Sequence, residues 1–184
     1  MKNLLSGALV LALVGVVVAA ELESGLKVGA APGAYNVKDI TGPSAGKSLC
    51  YRCQYGARPV VNVFARSVND DLAKLVKEID GVVEKNKEKN MKAFLVVLAE
   101  DADKIAPQLE AMAKKNDIKN VPLTIFDGST GPDSYNIAKD ADLTVLMWNK
   151  GKVESNTALE KGKLNDSTAK KISADARLSS AVQA

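Results

Sequence analysis

The sequence predicts an α/β fold: a mixed central sheet flanked by helices, finished by a β-hairpin and a C-terminal helix. Three observations carry this. Pro59 to Ala65 and Ala93 to Leu98 are continuous apolar runs of the kind that form strands buried on both faces. Between them, Leu72, Leu75, Val76, Ile79, Val82 and Val83 recur at helical spacing with charged residues interleaved. Near the end, two apolar runs flank Asn149-Lys150-Gly151, a hairpin signature.

Taken in order, residues 21–33 are rich in Gly and Ala and read as irregular. Ala34 to Ile40 alternates well enough for a short strand. Thr41 to Gly46 carries turn chemistry, and the segment Lys47 to Arg58, with both cysteines, shows no periodicity. After the strand Pro59 to Ala65 comes the long helix. Ser67 or Asn69 can cap it, and Asp70 and Asp71 suit its positive end. The strand Ala93 to Leu98 leads to a second helix, Asp103 to Lys115, with Ile105, Leu109 and Met112 inward and Pro107 in its first turn. Val121 to Phe126 is a third strand, entered through Pro122. Asp127 to Asp142 is a polar connection with one helical turn near Ile137. Leu143 to Trp148 and Lys152 to Ala158 form the hairpin, and a helix from Asn165 to Leu178 ends the chain. Strands alternating with helices imply parallel pairing through right-handed crossovers. No repeat or long linker divides the chain, so 34–184 reads as one domain.

Composition narrows function. The 184 residues carry 25 Lys+Arg, 22 Asp+Glu and no histidine, for a net charge of +3. That balance, mixed in sign along the chain and with aromatics at 4%, offers no basic stripe for nucleic acid. The lack of histidine excludes Ser-His-Asp and Cys-His catalysis and HExxH zinc sites. It also excludes haem attachment at the CxxC, where Gln54 follows Cys53. No cofactor is implied. Gly42-Pro43-Ser44-Ala45-Gly46-Lys47-Ser48 imitates a phosphate loop, but Thr41 stands where the motif requires Gly.

The first 20 residues read as an address. Lys2, the apolar run Leu4 to Val18 and the small residues Ala19-Ala20 match a signal peptide cleaved after Ala20. The run is shorter than the roughly 20 residues a spanning helix needs. The expectation is an exported protein, periplasmic or secreted, with no membrane anchor after cleavage. Asn165-Asp166-Ser167 has the form of a glycosylation sequon and is read as a chance occurrence.

Several segments resemble the thioredoxin-like superfamily in order and spacing. Val28-Gly29-Ala30-Ala31-Pro32-Gly33-Ala34-Tyr35 resembles the opening of peroxiredoxins and TlpA-like thioredoxins. Arg58-Pro59-Val60-Val61-Asn62-Val63-Phe64-Ala65 is similar to the family's central strand. Asn120 to Gly128 (NVPLTIFDG) is similar to the segment in which the family carries a cis-proline, which would make Pro122 a structural cis-proline. The resemblance implies a thioredoxin-like fold. It departs at the reactive corner: the family's CxxC follows the central strand, and here Arg66-Ser67-Val68-Asn69-Asp70 follows it, without sulfur.

The sulfur lies upstream, in Cys50-Tyr51-Arg52-Cys53. Cysteines at i and i+3 can reach disulfide geometry in a tight turn. Because the pair enters the central strand, it is expected at the end of the sheet opposite the family's usual site, and away from Pro122. Arg52, with Lys47 and Arg58 nearby, favours a thiolate and is a candidate supporting residue. Three readings stay open. A redox dithiol would exchange disulfides with a protein thiol or disulfide partner. A structural clip would leave a redox-silent protein-binding module. A Cu(I) site would use both thiolates, with Met91, Met112 and Met147 better explained as core.

Overall fold

The computed structural model describes residues 22–181, so the proposed signal peptide lies outside the described residues. Seven strands form one mixed sheet in the order β2-β1-β5-β4-β3-β6-β7. They are β1 (Val37–Asp39), β2 (Ser48–Leu49), β3 (Val60–Ala65), β4 (Lys92–Ala99), β5 (Leu123–Asp127), β6 (Ala141–Asn149) and β7 (Lys152–Glu160). The helices are α1 (Tyr51–Tyr55), α2 (Asp70–Lys85), α3 (Ala102–Lys115) and α4 (Asp166–Ala181). Strands β3, β4 and β5 are parallel, with Val60 opposite Lys92 and Leu95 opposite Leu123. The hairpin strand β6 runs antiparallel to β3, and β1 antiparallel to β5.

The apolar runs sort by parity, because successive strand residues face opposite sides. Val61, Val63, Ala93, Leu95, Val97, Leu123, Ile125, Val145 and Met147 face one layer, filled by α2, α3 and α4. Val60, Phe64, Phe94, Val96, Leu146 and Trp148 face the other. That second layer is built from α1, from Leu26 in the N-terminal segment and from Tyr135 and Ile137 of the 127–140 connection, with Tyr35 packed against it. Met91, Met112 and Met147 all lie in the helical-side core. Among the described residues no helix is long and apolar enough to cross a membrane.

Local signals set most boundaries. Asn69 caps α2, its Oδ1 accepting from the Leu72 N–H at 2.9 Å. Asp101 caps α3, which therefore starts at Ala102. Pro107 thus falls in the second turn and not the first, on the exposed face, where a carbonyl denied its N–H partner can be hydrated. The helical turn of the polar connection spans Asp133–Tyr135, slightly before Ile137.

Two features depart from expectation. The cysteine segment contains β2 and a helix, α1. And Pro122 is not a cis-proline. Residues Leu123–Asp127 form a parallel strand on the far side of β4. Pro122 has an ordinary trans bond, since no described residue is cis. Its carbonyl accepts from the Leu95 N–H at 2.9 Å, which fits it to the entry of a parallel ladder.

Candidate functional site

Cys50 and Cys53 are joined, with S–S 2.08 Å and Cα–Cα 5.2 Å. The pair closes the first turn of α1. Cys50 has extended dihedrals and acts as N-cap, with Sγ in the place usually taken by a Ser or Asp oxygen: it accepts the Cys53 N–H at 3.0 Å. The helix ends after five residues at Gly56, whose φ of 59° and ψ of −128° suit only a residue without Cβ. Five residues cannot hold a helix by propensity alone. Tertiary anchors supply the rest.

The chief anchor is Asp39, fully buried at the end of β1. Its Oδ1 accepts the Gly42 N–H at 2.8 Å, and its Oδ2 accepts the Ser44 N–H and the Tyr51 hydroxyl, each at 2.8 Å. The loop that imitates a phosphate cradle thus wraps a carboxylate of its own chain. A Cβ on Gly42 would stand 2.7 Å from both carboxylate oxygens and nearer still to the Tyr51 hydroxyl, so the close approach requires glycine. Burial, then the hydrogen bond and negative charge of Asp39, hold the Tyr51 hydroxyl far above the usual tyrosine range. Tyr55 is raised as well, by burial first and the Asp39 charge second. Tyr51 and Tyr55 pack on each other and on Phe94, tying the helix to β4.

Arg52 is a second anchor. Its Nε donates to the Pro32 carbonyl at 2.9 Å and Nη1 to the Gly56 carbonyl at 3.4 Å. Both hydrogen bonds run to backbone oxygens, so any help it gives the sulfurs is charge acting through space. Cys53 is exposed and Cys50 half-buried. Between residues 40 and 60 the only charged side chains are Lys47, Arg52 and Arg58.

The site sits at the N-terminal end of the parallel strands: α1 leads into Val60, and the Pro59 carbonyl accepts from Lys92. Pro122 is at this same end, since Tyr51, Gln54 and Tyr55 share a cleft with Pro122, Met91 and Asn120. Pro122 starts a parallel strand and so joins the end where β3 begins, but neither cysteine lines the cleft that holds it. The opposite end of β3 is filled by Arg66. Its guanidinium donates to the carbonyls of Ala141 and Ala138, each at 2.9 Å, and of Ser129. Ser67 beside it donates to Asp142 at 2.6 Å.

Sequence reasoning missed Asp39 and Tyr51. The available signal was an aspartate three residues before Gly42, leading a turn-rich loop, which is the pattern of a side chain capping its own turn.

No family model and no curated protein matches the chain. Solved structures do, at low identity. The thioredoxin domain of a thiol-disulfide oxidoreductase from Bacteroides vulgatus is 12% identical, with 80% of this chain and 99% of that one covered and a TM-score of 0.52. Peroxidoxin BcpB from Mycobacterium tuberculosis is 15% identical, with 83% and 97% covered and a TM-score of 0.58. A yeast mitochondrial 1-Cys peroxiredoxin is 12% identical, with 86% and 76% covered and a TM-score of 0.59. These likenesses show the fold: it is thioredoxin-like. In this chain the CxxC disulfide lies ahead of the central strand β3.

Proposed function

We propose that this is an exported thiol–disulfide exchange protein whose reactive group is the Cys50–Cys53 pair. One observation carries the reading: the disulfide lies at the surface, on a short helix held from beneath, with Cys53 open to solvent. A partner thiolate can attack one sulfur. The S–S bond then breaks, and the other sulfur leaves as a thiolate with Arg52 between the two cysteines and Lys47 and Arg58 flanking them in the sequence. The partner is a protein thiol or disulfide. Export is supported by the leader pattern of residues 1–20 and suits a pair held oxidised. A disulfide offers no thiolate to Cu(I), which makes metal binding the weakest of the three readings.

The rival is a redox-silent binding module in which the disulfide only clips α1. Its support is the N-cap geometry, since Cys50 completes a helix turn that is otherwise short of partners. The reduction potential of the pair separates the two. A value between about −120 and −270 mV fits exchange, and one below about −300 mV fits a clip. Disulfide reduction of insulin, with Cys50→Ser and Cys53→Ser as controls, tests the same point by turnover.

A further inference from the structure

We infer that the two sulfurs have fixed and unequal roles: Cys53 carries the disulfide to the partner, and Cys50 is the resolving sulfur that leaves and returns. This rests on the exchange reading and goes beyond it. Access is the first argument. Exchange requires a nucleophile in line with the bond it breaks, so the attacked sulfur must be reachable. Cys53 is exposed and Cys50 half-buried, at the junction of β2 and α1.

The leaving group is the second argument. Attack at Cys53 sends the electron pair to Cys50 Sγ, which already accepts the Cys53 N–H at 3.0 Å. A hydrogen bond strengthens when its acceptor becomes charged, so the bond favours Cys50 as the departing thiolate. Among the described residues, no hydrogen bond reaches Cys53 Sγ to favour the opposite cleavage.

The steps balance. A partner thiolate bonds to Cys53 Sγ, the Cys50–Cys53 bond breaks, and its electron pair stays on Cys50. The partner's second thiolate then attacks its own sulfur in the mixed disulfide. This closes the partner's disulfide and releases Cys53 as a thiolate, which takes a proton from water. Two electrons pass from the partner dithiol to the protein. In the reverse direction the Cys53 thiolate attacks a partner disulfide, and the Cys50 thiolate displaces the reduced partner from Cys53.

Arg52 makes the test direct, because trypsin cleaves after it and parts the two cysteines. The oxidised, unsubstituted protein is mixed with glutathione, quenched early with an alkylating reagent and mapped by mass spectrometry. The expected result is glutathione on Cys53 and alkyl on Cys50, by about tenfold or more. Equal labelling, or glutathione on Cys50, overturns the assignment while leaving exchange intact. A pair that stays closed at every glutathione ratio overturns both. As a second check, with oxidised glutathione the Cys50→Ser variant should gain a stable glutathione adduct, releasing one reduced glutathione, about tenfold faster than Cys53→Ser. The reverse order again overturns the assignment.

Discussion

The Tyr51 hydroxyl donates to the buried Asp39 carboxylate at 2.8 Å, and this contact joins the disulfide helix to the end of β1. Asp39 has no cation among its hydrogen-bond partners; it is satisfied by two backbone N–H groups and one hydroxyl. Such a carboxylate is costly to leave short of a donor. Tyr51→Phe should therefore lower stability by about 1–2 kcal/mol. Asp39→Asn should cost more, about 2–3 kcal/mol, because its amide turns a donor toward donors. Gly42→Ala should act in the same direction by pushing a methyl between the two groups. Denaturant unfolding of the oxidised forms measures all three. A neutral Tyr51→Phe would mean that packing alone holds α1.

The charges around the disulfide give a kinetic prediction. Lys47 and Arg58 flank the pair in the sequence with Arg52 inside it, and the acidic side chain nearest the pair there, Asp39, is buried with both oxygens taken up by hydrogen bonds. Anionic thiols such as mercaptopropionate should open the disulfide faster than cationic cysteamine. The expected difference is about 3–10-fold at low salt, after correction for thiol pKa. At about 1 M salt, where screening acts within roughly 3 Å, the rates should converge. Stopped-flow measurement of thiol consumption gives both numbers.

All four tyrosines are held above their ordinary range, each by burial first. Tyr35 is raised further by Tyr135 and lowered by its hydrogen bond to Asn62, while the Arg52 charge lowers Tyr135. The sign follows from linkage. A group whose folded pKa is raised adds stability that is complete below its unfolded value, near pH 10, and that fades as pH rises through the folded value. The folded protein should show no tyrosinate absorbance near pH 10. On further alkalinisation, the tyrosinate signal and unfolding should rise together. A tyrosine that titrates near pH 10 while far-ultraviolet circular dichroism is unchanged would contradict this burial.

What the sequence made legible follows from physical scale. Val60–Ala65 and Lys92–Ala99 were readable because strands covered on both faces must be apolar throughout. The α2 helix was readable because 16 residues give the 3.6 period room to repeat. Helix α1 was not, because five residues hold no period and its stability comes from Asp39, Phe94 and a disulfide. Pro122 misled for another reason: its cis form rested on the resemblance alone, and the peptide bond is trans. The cysteines themselves were plain from spacing, whereas their unequal exposure depends on how α1 is seated.

Arg66 tests whether the two ends of β3 are independent. Its guanidinium closes the corner after the strand by bonding three carbonyls, those of Ala141, Ala138 and Ser129. Arg66→Met keeps much of the side-chain length but leaves those carbonyls without their donor. The cost should be about 2 kcal/mol, because hydrogen bonds from a charged donor are the stronger kind. The disulfide lies beyond the other end of a strand of six residues, about 20 Å away at ~3.3 Å per residue. Its opening rate with glutathione should therefore stay within about twofold of the parent, even as the unfolding midpoint falls. A parallel loss of both would show that the Arg66 corner shapes the chemistry at Cys50 and Cys53, and that the sulfur has not become independent of it.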